Sequence, residues 1–204
     1  MKLHSIMLAT ALAAGAAGTI HAKEAANPLT ALIGVWEGDK GTDVAPAQKS
    51  TGKAGTAAAS PYFERMEIAA GPGVTNASEQ DLVSVTIRQR VYRKSDKQQF
   101  HDQMGYLIWD QKNSRLIYSF CIPRGVCASA EGKYDKPGEF NLGTKSAFAE
   151  TDFMKKNAKT NSVAITMKLA ADGTLSYSEV TALTIYGKPF THVDASTLKK
   201  VAGN

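Results

Sequence analysis

Apolar residues recur at every second position along much of the chain, and helical spacing is rare. Residues 83–91 alternate valine and isoleucine with serine, threonine and arginine, and residues 163–169 and 175–185 show the same period. A period of two gives a strand one face for a core and one face for water or a lumen. These segments are therefore predicted to be β-strands.

Turn-forming residues separate the alternating segments and predict hairpin connections. The stretches "KSDKQQ", "DQKNS", "PRG" and "AADG" each fall between two predicted strands. Several strands joined by hairpins indicate an antiparallel sheet, closed as a barrel or packed as a sandwich. At ordinary strand lengths the chain has room for roughly eight to ten strands. We therefore expect an all-β fold in one domain over residues 23–204.

Two segments depart from the strand pattern. Only "NPLTALIG" predicts a brief helix, with Asn27 as its cap and Pro28 at its first position. Residues 46–60 are small and polar without periodicity, which predicts a mobile loop.

The first residues have the features of a secretory signal. A basic start at Lys2 precedes an apolar, alanine-rich run over residues 6–17, and Ala22 is a small residue at the expected cleavage point. The run is too short to span a bilayer stably, so we expect a signal peptide over residues 1–22 and a periplasmic or secreted protein. The alternative is a short N-terminal helix retained in the fold. No later stretch predicts a membrane span.

The charge pattern bears on the class of partner. The formal net charge is +5, but the lysines and arginines are scattered and form no basic block interleaved with aromatic residues. Such charges are typical of a solvated surface, so nucleic acid is not an expected partner. The expected partner is a small-molecule ligand.

Cys121 and Cys127 lie on either side of the turn residues 123–125. In a tight hairpin, positions of equal parity can place the two thiols across from each other, and an exported protein favours a disulfide. The alternative is a pair of buried free thiols. No second Cys or His pair has zinc-ligand spacing, and the absence of C-x-x-C-H excludes covalent c-type haem attachment.

Other residues have candidate roles that residue type alone does not settle. Trp36 lies between Gly34 and Gly38 on one parity of a strand, which suits the packed floor of a barrel. His192 follows a Gly-Lys-Pro turn and is either a hydrogen-bonded core histidine or a ligand. His101 precedes an aspartate at a strand start, where a surface or lumen hydrogen bond is the usual role.

Three tyrosines lie in predicted strands, where parity does not show which face is inside, and no hydrolase motif accompanies them. The candidates to line a lumen are Tyr106, Tyr118 and Tyr177. The sequence has no G-x-S-x-G and no H-E-x-x-H, so a reaction here would depend on a bound cofactor.

Three stretches, in order, resemble the nitrobindin-like haem-binding β-barrel family. "LIGVWEGDKGTDVAP" looks like the G-x-W-x-G opening of that family, and "FHDQMGYLIWD" resembles its central strand. "GKPFTHVDASTLKKV" is similar to its C-terminal end. Together the stretches frame residues 29–201.

The resemblance implies a barrel of about ten antiparallel strands, shaped like the lipocalins and fatty-acid-binding proteins. It further implies haem b bound without covalent attachment, with His192 as the iron ligand. His101 matches a histidine near the haem face, and Trp36, Gly34 and Gly38 match the opening motif of the cofactor-binding end. Some family members isomerise peroxynitrite.

The opening motif departs from the family pattern. Haem-binding members continue it as G-x-W-x-G-x-G-x-G, whereas Lys40 and Thr42 take the later two glycine positions here and Gly41 is out of phase. Lys40 and Lys188 are candidates to meet haem propionates at the predicted mouth.

Three hypotheses follow for the function. The first is an exported barrel that binds haem through His192 and acts on peroxynitrite or binds nitric oxide. The second is a metal-free barrel that carries a lipid or other small apolar ligand. The third is a structural or partner-binding protein whose barrel is filled by side chains.

Overall fold

The computed structural model describes residues 27–50 and 52–201. This part of the chain contains twelve strands, one short helix and one 3-10 turn. The strands are β1 (Gly34–Pro46), β2 (Ala57–Ala70), β3 (Val74–Asn76), β4 (Gln80–Arg93), β5 (Gln99–Asp110), β6 (Arg115–Ile122), β7 (Val126–Lys133), β8 (Glu139–Thr144), β9 (Phe148–Glu150), β10 (Ala158–Leu169), β11 (Thr174–Ile185) and β12 (Lys188–Lys200). Helix α1 is Asp152–Asn157, and the 3-10 turn is Thr30–Leu32.

Ten of the strands close into one antiparallel barrel, as the alternating pattern and the family resemblance predict. The order around the wall is β2-β1-β12-β11-β10-β8-β7-β6-β5-β4, and β2 pairs with β4 to complete the ring. The short strands β3 and β9 extend the edges of β4 and β7. Closure removes the free sheet edges and leaves one enclosed face for a core and a lumen.

The barrel has a closed end filled by apolar side chains. Leu175 and Leu198 are 0% exposed there, and Trp36 is 1% exposed. The Trp36 indole N–H donates to the Leu32 carbonyl at 2.8 Å, and the 3-10 turn that supplies this carbonyl covers the end of the barrel. The hydrogen bond satisfies the one polar atom of the indole, so the ring can be buried without an unpaired donor.

The opposite end of the barrel is open. Along β11 the inward-facing series runs from Leu175 through Tyr177, Glu179 and Thr181 to Leu183, and burial falls over these residues before Ile185, at the end of the strand, is buried again. Leu175 is 0% exposed and Tyr177 is 9% exposed, whereas Glu179, Thr181 and Leu183 are only half-buried. Water therefore reaches the lumen from the open end.

Strand β1 carries a bulge that changes which residues face the lumen. Its pairing with β2 shifts register between Gly38 and Gly41. A Cβ on Gly41 would lie 1.9 Å from the Tyr62 ring, so only glycine fits there. Because the bulge adds one residue, the inward series continues as Gly41 and Asp43 instead of Lys40 and Thr42.

The two cysteines are joined in the hairpin of β6 and β7. Cys121 and Cys127 are direct cross-strand partners, and their sulfurs form a disulfide. Gly125, in the turn between the strands, has φ +74°, a conformation that glycine adopts without strain. Of the two alternatives for these residues, the structure shows the disulfide.

Several sequence predictions concern the ends of the chain and its loops. The predicted signal peptide over residues 1–22 lies outside the described residues. The segment predicted as a loop over residues 46–60 is shorter in the structure, because β1 runs through Pro46 and β2 begins at Ala57. The predicted helix is only the 3-10 turn, whose N-cap is Leu29; Asn27 precedes it, and its side-chain oxygen accepts a hydrogen bond from the Leu29 N–H. Among the described residues, no helix has the length and apolar character needed to cross a bilayer.

We expect Leu198→Ala to lower the free energy of unfolding by about 2–5 kcal/mol, because it leaves a cavity at the closed end. Thr197→Ala is the matched control, since its side chain is exposed on the outer face and should change stability by less than about 0.5 kcal/mol. Urea unfolding followed by tryptophan fluorescence measures both. Equal effects of the two changes would contradict the inward assignment of Leu198.

Candidate functional site

His192 lies on the inner wall of the barrel at the open end. On β12 it shares a face with Asp194, Ser196 and Leu198, the last of which is in the closed core. The imidazole is 26% exposed and so is reached from the lumen mouth. An outward-facing ring would have excluded a role in the lumen.

Two aspartates hold the same nitrogen of His192. Nε2 lies 2.7 Å from Oδ1 of Asp43 and 3.2 Å from Oδ2 of Asp194. Asp43 on β1 and Asp194 on β12 are direct register partners, because the barrel makes these two strands neighbours. The cluster therefore joins residues far apart in the sequence.

The neighbours of His192 and Asp194 shift the pKa values of both residues. Burial alone would lower the pKa of His192, but the hydrogen bond to Asp43 and the negative charges of Asp194 and Asp43 outweigh it, so the pKa is raised. Burial raises the pKa of Asp194 to about 7, with the His192 charge opposing this and the charges of Asp43 and Glu179 adding to it. The cluster thus holds protons more strongly than free side chains would.

Glu179 extends the acidic row by one strand. It faces the lumen on β11 and is the register partner of Asp194. Burial raises its pKa, and an amide hydrogen of Gln103 approaches its carboxylate at 3.4 Å. Three carboxylates therefore lie side by side across β1, β12 and β11.

His101 faces the same lumen from β5, which lies across the barrel from β12. Burial is the main reason that its pKa is lowered, and the positive charge of Arg124 adds to the effect. Arg124 belongs to the turn between β6 and β7 at this end of the barrel. The two histidines thus have pKa shifts of opposite sign, which favours a neutral ring at His101 and a protonated ring at His192.

A buried polar network separates the open end from the apolar core. The hydroxyls of Tyr62 and Tyr177 are 2.6 Å apart, and Tyr177 donates to Oε2 of Glu64 at 3.0 Å. The Gln89 amide donates to the same carboxylate oxygen at 2.6 Å. Burial raises the pKa of Glu64, partly offset by its hydrogen bonds. Within the described chain, Glu64 Oε1 and Ser196 Oγ have no hydrogen-bond partner.

The structure brings some of the predicted residues to His192 and leaves others elsewhere. His101 lies at the open end with it, whereas Trp36 and Gly34 lie at the closed end, where Trp36 pairs with Lys200. Gly38 lies between the two ends, opposite Glu64. The barrel therefore separates the opening motif from the histidine that the resemblance assigns to the same site.

Other predicted lining residues are divided between the two faces of the wall. Tyr118 and Tyr177 are buried inside, whereas Tyr106 points outward and is 47% exposed, so it does not line the lumen. Lys40 and Lys188 are exposed. Neither lysine has an ion pair with the acidic residues around His192 in the described chain.

The sequence patterns missed Asp43, Glu64 and Tyr62 as site residues. Asp43 lies beyond the bulge of β1, and simple alternation along the sequence does not show that the bulge turns it inward. Glu64 and Tyr62 share the inward parity of β2 with Met66 and Ile68, so strand alternation within residues 62–68 was an available signal.

The main surface grooves are separate from this cluster. One groove of about 810 Å³ crosses the outer faces of β4 to β7 beside the disulfide, with Met104, Tyr106 and Phe148 among its lining residues. A second, of about 960 Å³, lies near Lys40 and Phe63. Neither includes His192, Asp43 or Asp194.

Comparison with known proteins identifies the barrel. A family model described as "THAP4-like, heme-binding beta-barrel domain" matches residues 25–200. The solved structure of Rv2717c from M. tuberculosis is similar, with a TM-score of 0.59 and 17% sequence identity, over 85% of this chain and 95% of that chain. At this identity the similarity establishes the fold. No curated protein matches the chain.

We expect Glu64→Gln to flatten the pH dependence of stability. The raised pKa of Glu64 means that its contribution to stability is full below the ordinary carboxyl pKa of about 4.3 and is lost as the pH rises through the folded-state pKa. The neutral amide cannot ionise, so the free energy of unfolding should fall less from about pH 5 to about pH 8 than in the wild type.

Glu67→Gln is the matched control, because Glu67 is on the outer face and hydrogen bonds from Arg65 and Arg90 lower its pKa. The difference in the free energy of unfolding between Glu67→Gln and the wild type should stay nearly constant over the same pH range. Urea unfolding at several pH values tests both, and parallel curves for the wild type and Glu64→Gln would show that Glu64 does not titrate in this range.

Proposed function

Because the chain belongs to the family of THAP4-like, heme-binding β-barrel domains, we propose that its open end binds haem b with His192 as the iron ligand. The observation that carries the proposal is the position of the His192 ring, which faces the lumen where the barrel is open to water. A haem iron requires an imidazole nitrogen directed into a pocket, and this residue supplies one.

The residues around His192 fit this role in type and place. Phe190 and Leu183, which are register partners on β12 and β11, are apolar, half-buried and next to His192 along the wall. Nε2 is hydrogen-bonded to Asp43, so iron ligation would replace that contact and require a neutral ring. Asp43 and Asp194 flank that same nitrogen, so their carboxylates would lie beside the bound iron.

The chemistry proposed for the site is that of the family. When bound, ferric haem would supply the iron centre for chemistry on peroxynitrite or nitric oxide. His101 has a lowered pKa and is favoured as a neutral ring, so it can offer either a donor or an acceptor nitrogen to a ligand in the lumen. Arg124 adds a positive charge beside His101, on a different part of the wall from the three carboxylates.

The proposal includes export of the protein to the periplasm or outside the cell. It is based on the predicted signal peptide over residues 1–22. The disulfide between Cys121 and Cys127 supports it, because such bonds persist in oxidising compartments.

The competing function, a metal-free barrel for a lipid, is less well supported by the lining of the lumen. Asp43, Asp194 and Glu179 make the open end polar, and the His192 ring beside them offers an iron ligand that an apolar lipid does not use. Mass spectrometry of extracts from the purified protein tests this alternative, and a stoichiometric lipid would favour it over haem.

We expect haemin titration of the purified protein to give a Soret band that saturates at one haem per chain. His192→Ala should weaken haemin binding by more than about tenfold, because the iron loses its protein ligand. Thr191→Ala is the control, since this neighbour is exposed on the outer face. An unchanged spectrum in His192→Ala would refute His192 as the iron ligand.

We expect the haem-loaded wild type to speed the decay of peroxynitrite relative to the same concentration of free haemin. His192→Ala mixed with haemin should show only the rate of free haemin, because the haem is no longer held beside His101 and Arg124. Stopped-flow absorbance measures the decay. Equal rates for bound and free haemin would remove the enzymatic part of the proposal.

A further inference from the structure

The cluster around His192 has the composition and spacing of a site for a bare metal ion. One nitrogen of His192 and one oxygen each of Asp43 and Asp194 lie within 4.8 Å of one another. Zinc and related ions take imidazole nitrogen and carboxylate oxygen at about 2.0–2.2 Å, which sets neighbouring ligand atoms about 3–3.5 Å apart. The observed separations of 2.7 and 3.2 Å from Nε2 need only small adjustments to reach this range.

The charge balance of the lumen independently favours a cation. Asp43, Asp194 and Glu179 are consecutive inward residues across three neighbouring strands. In the described part of the chain, no lysine or arginine forms an ion pair with any of them, and His192 is the one base paired with Asp43 and Asp194. Asp43 is only 6% exposed, so water compensates little of its charge. One imidazole ring therefore faces three carboxylates, and burying this excess of acidic groups is costly unless protons or a cation join them.

Haem ligation does not explain this acidic lining. It requires the nitrogen of His192 but neither aspartate, and haem itself adds two negative propionates. The bulge in β1 turns Asp43 inward. A carboxylate therefore lies directly against the histidine, at 2.7 Å from its Nε2.

We propose that the haem-free barrel binds one divalent first-row metal ion, with zinc as the reference case, through His192, Asp43 and Asp194. Three protein ligands leave a further coordination position toward the lumen, where Glu179 or water can complete the shell. The aspartates anchor the ion to β1 and β12, so the ion joins two strands that are far apart in sequence.

The shared histidine adds a regulatory consequence that rests on the proposed haem function. Nε2 of His192 cannot bind zinc and haem iron at the same time, so the two ligands exclude each other. Zinc would then set the fraction of the protein that is free to accept haem. The cation site itself does not depend on haem and is tested without it.

Calorimetric titration of untagged, chelator-treated, haem-free protein with zinc chloride tests the site. The wild type should bind one zinc per chain, whereas His192→Ala, Asp43→Asn and Asp194→Asn should each weaken binding more than about tenfold, as expected for the loss of a ligand. Asp39→Asn is the matched control, because Asp39 is exposed on the outer face of the same strand. Circular dichroism establishes that each variant is folded.

Each outcome has a defined meaning. Absence of saturable zinc binding in the wild type would overturn the site. So would zinc binding by the three ligand variants that is as tight as that of the wild type. Haemin titrations of the wild type and Asp39→Asn, with and without zinc, test the exclusion, and simultaneous binding of both would overturn that part. Zinc binding without any haemin binding would refute the proposed haem function and leave the cation site standing.

Discussion

The site depends on a single backbone irregularity, the bulge of β1 that is fixed by the packing of Tyr62 against Gly41. A strand alternates its side chains between two faces, and one added residue exchanges the faces beyond it. Here the exchange turns Asp43 into the lumen and Thr42 outward. Without the bulge, His192 would lose its closest partner, and the lumen would contain a neutral threonine instead of a carboxylate.

The barrel divides into two halves with different physical roles. The closed half is packed with apolar side chains such as Leu175 and Leu198, and it supplies the burial that stabilises the fold. The open half contains titratable groups that no apolar core would tolerate. Between the two halves, hydrogen bonds among Tyr62, Tyr177 and Glu64 satisfy most of the buried polar atoms. They allow polar side chains to lie directly against the apolar core.

Charge distinguishes this lumen from a simple haem pocket. His192 is oriented for ligation, yet its nitrogen lies between two carboxylates, with a third carboxylate on the next strand. The same residues are therefore proposed to bind two ligands that require different arrangements of Asp43 and His192. Haem requires Asp43 to release the nitrogen, whereas a bare cation uses Asp43 and His192 together. Competition for one imidazole would connect the metal content of the compartment to haem occupancy.

The sequence by itself determined the all-β class and the hairpin connections, because alternation and turns are local properties. The family resemblance favoured a barrel over a sandwich, and the sequence left the Cys121–Cys127 disulfide as one of two alternatives. It also singled out His192, since few histidines occur and one lies beside a distinctive turn. Only the tertiary structure decided which residues meet that histidine. Asp43 and His192 are separated by 149 positions and come together through barrel closure, and the bulge that orients Asp43 depends on its packing against Tyr62. Contacts between segments that are distant in the sequence produce no repeating pattern of residues from which they could be predicted.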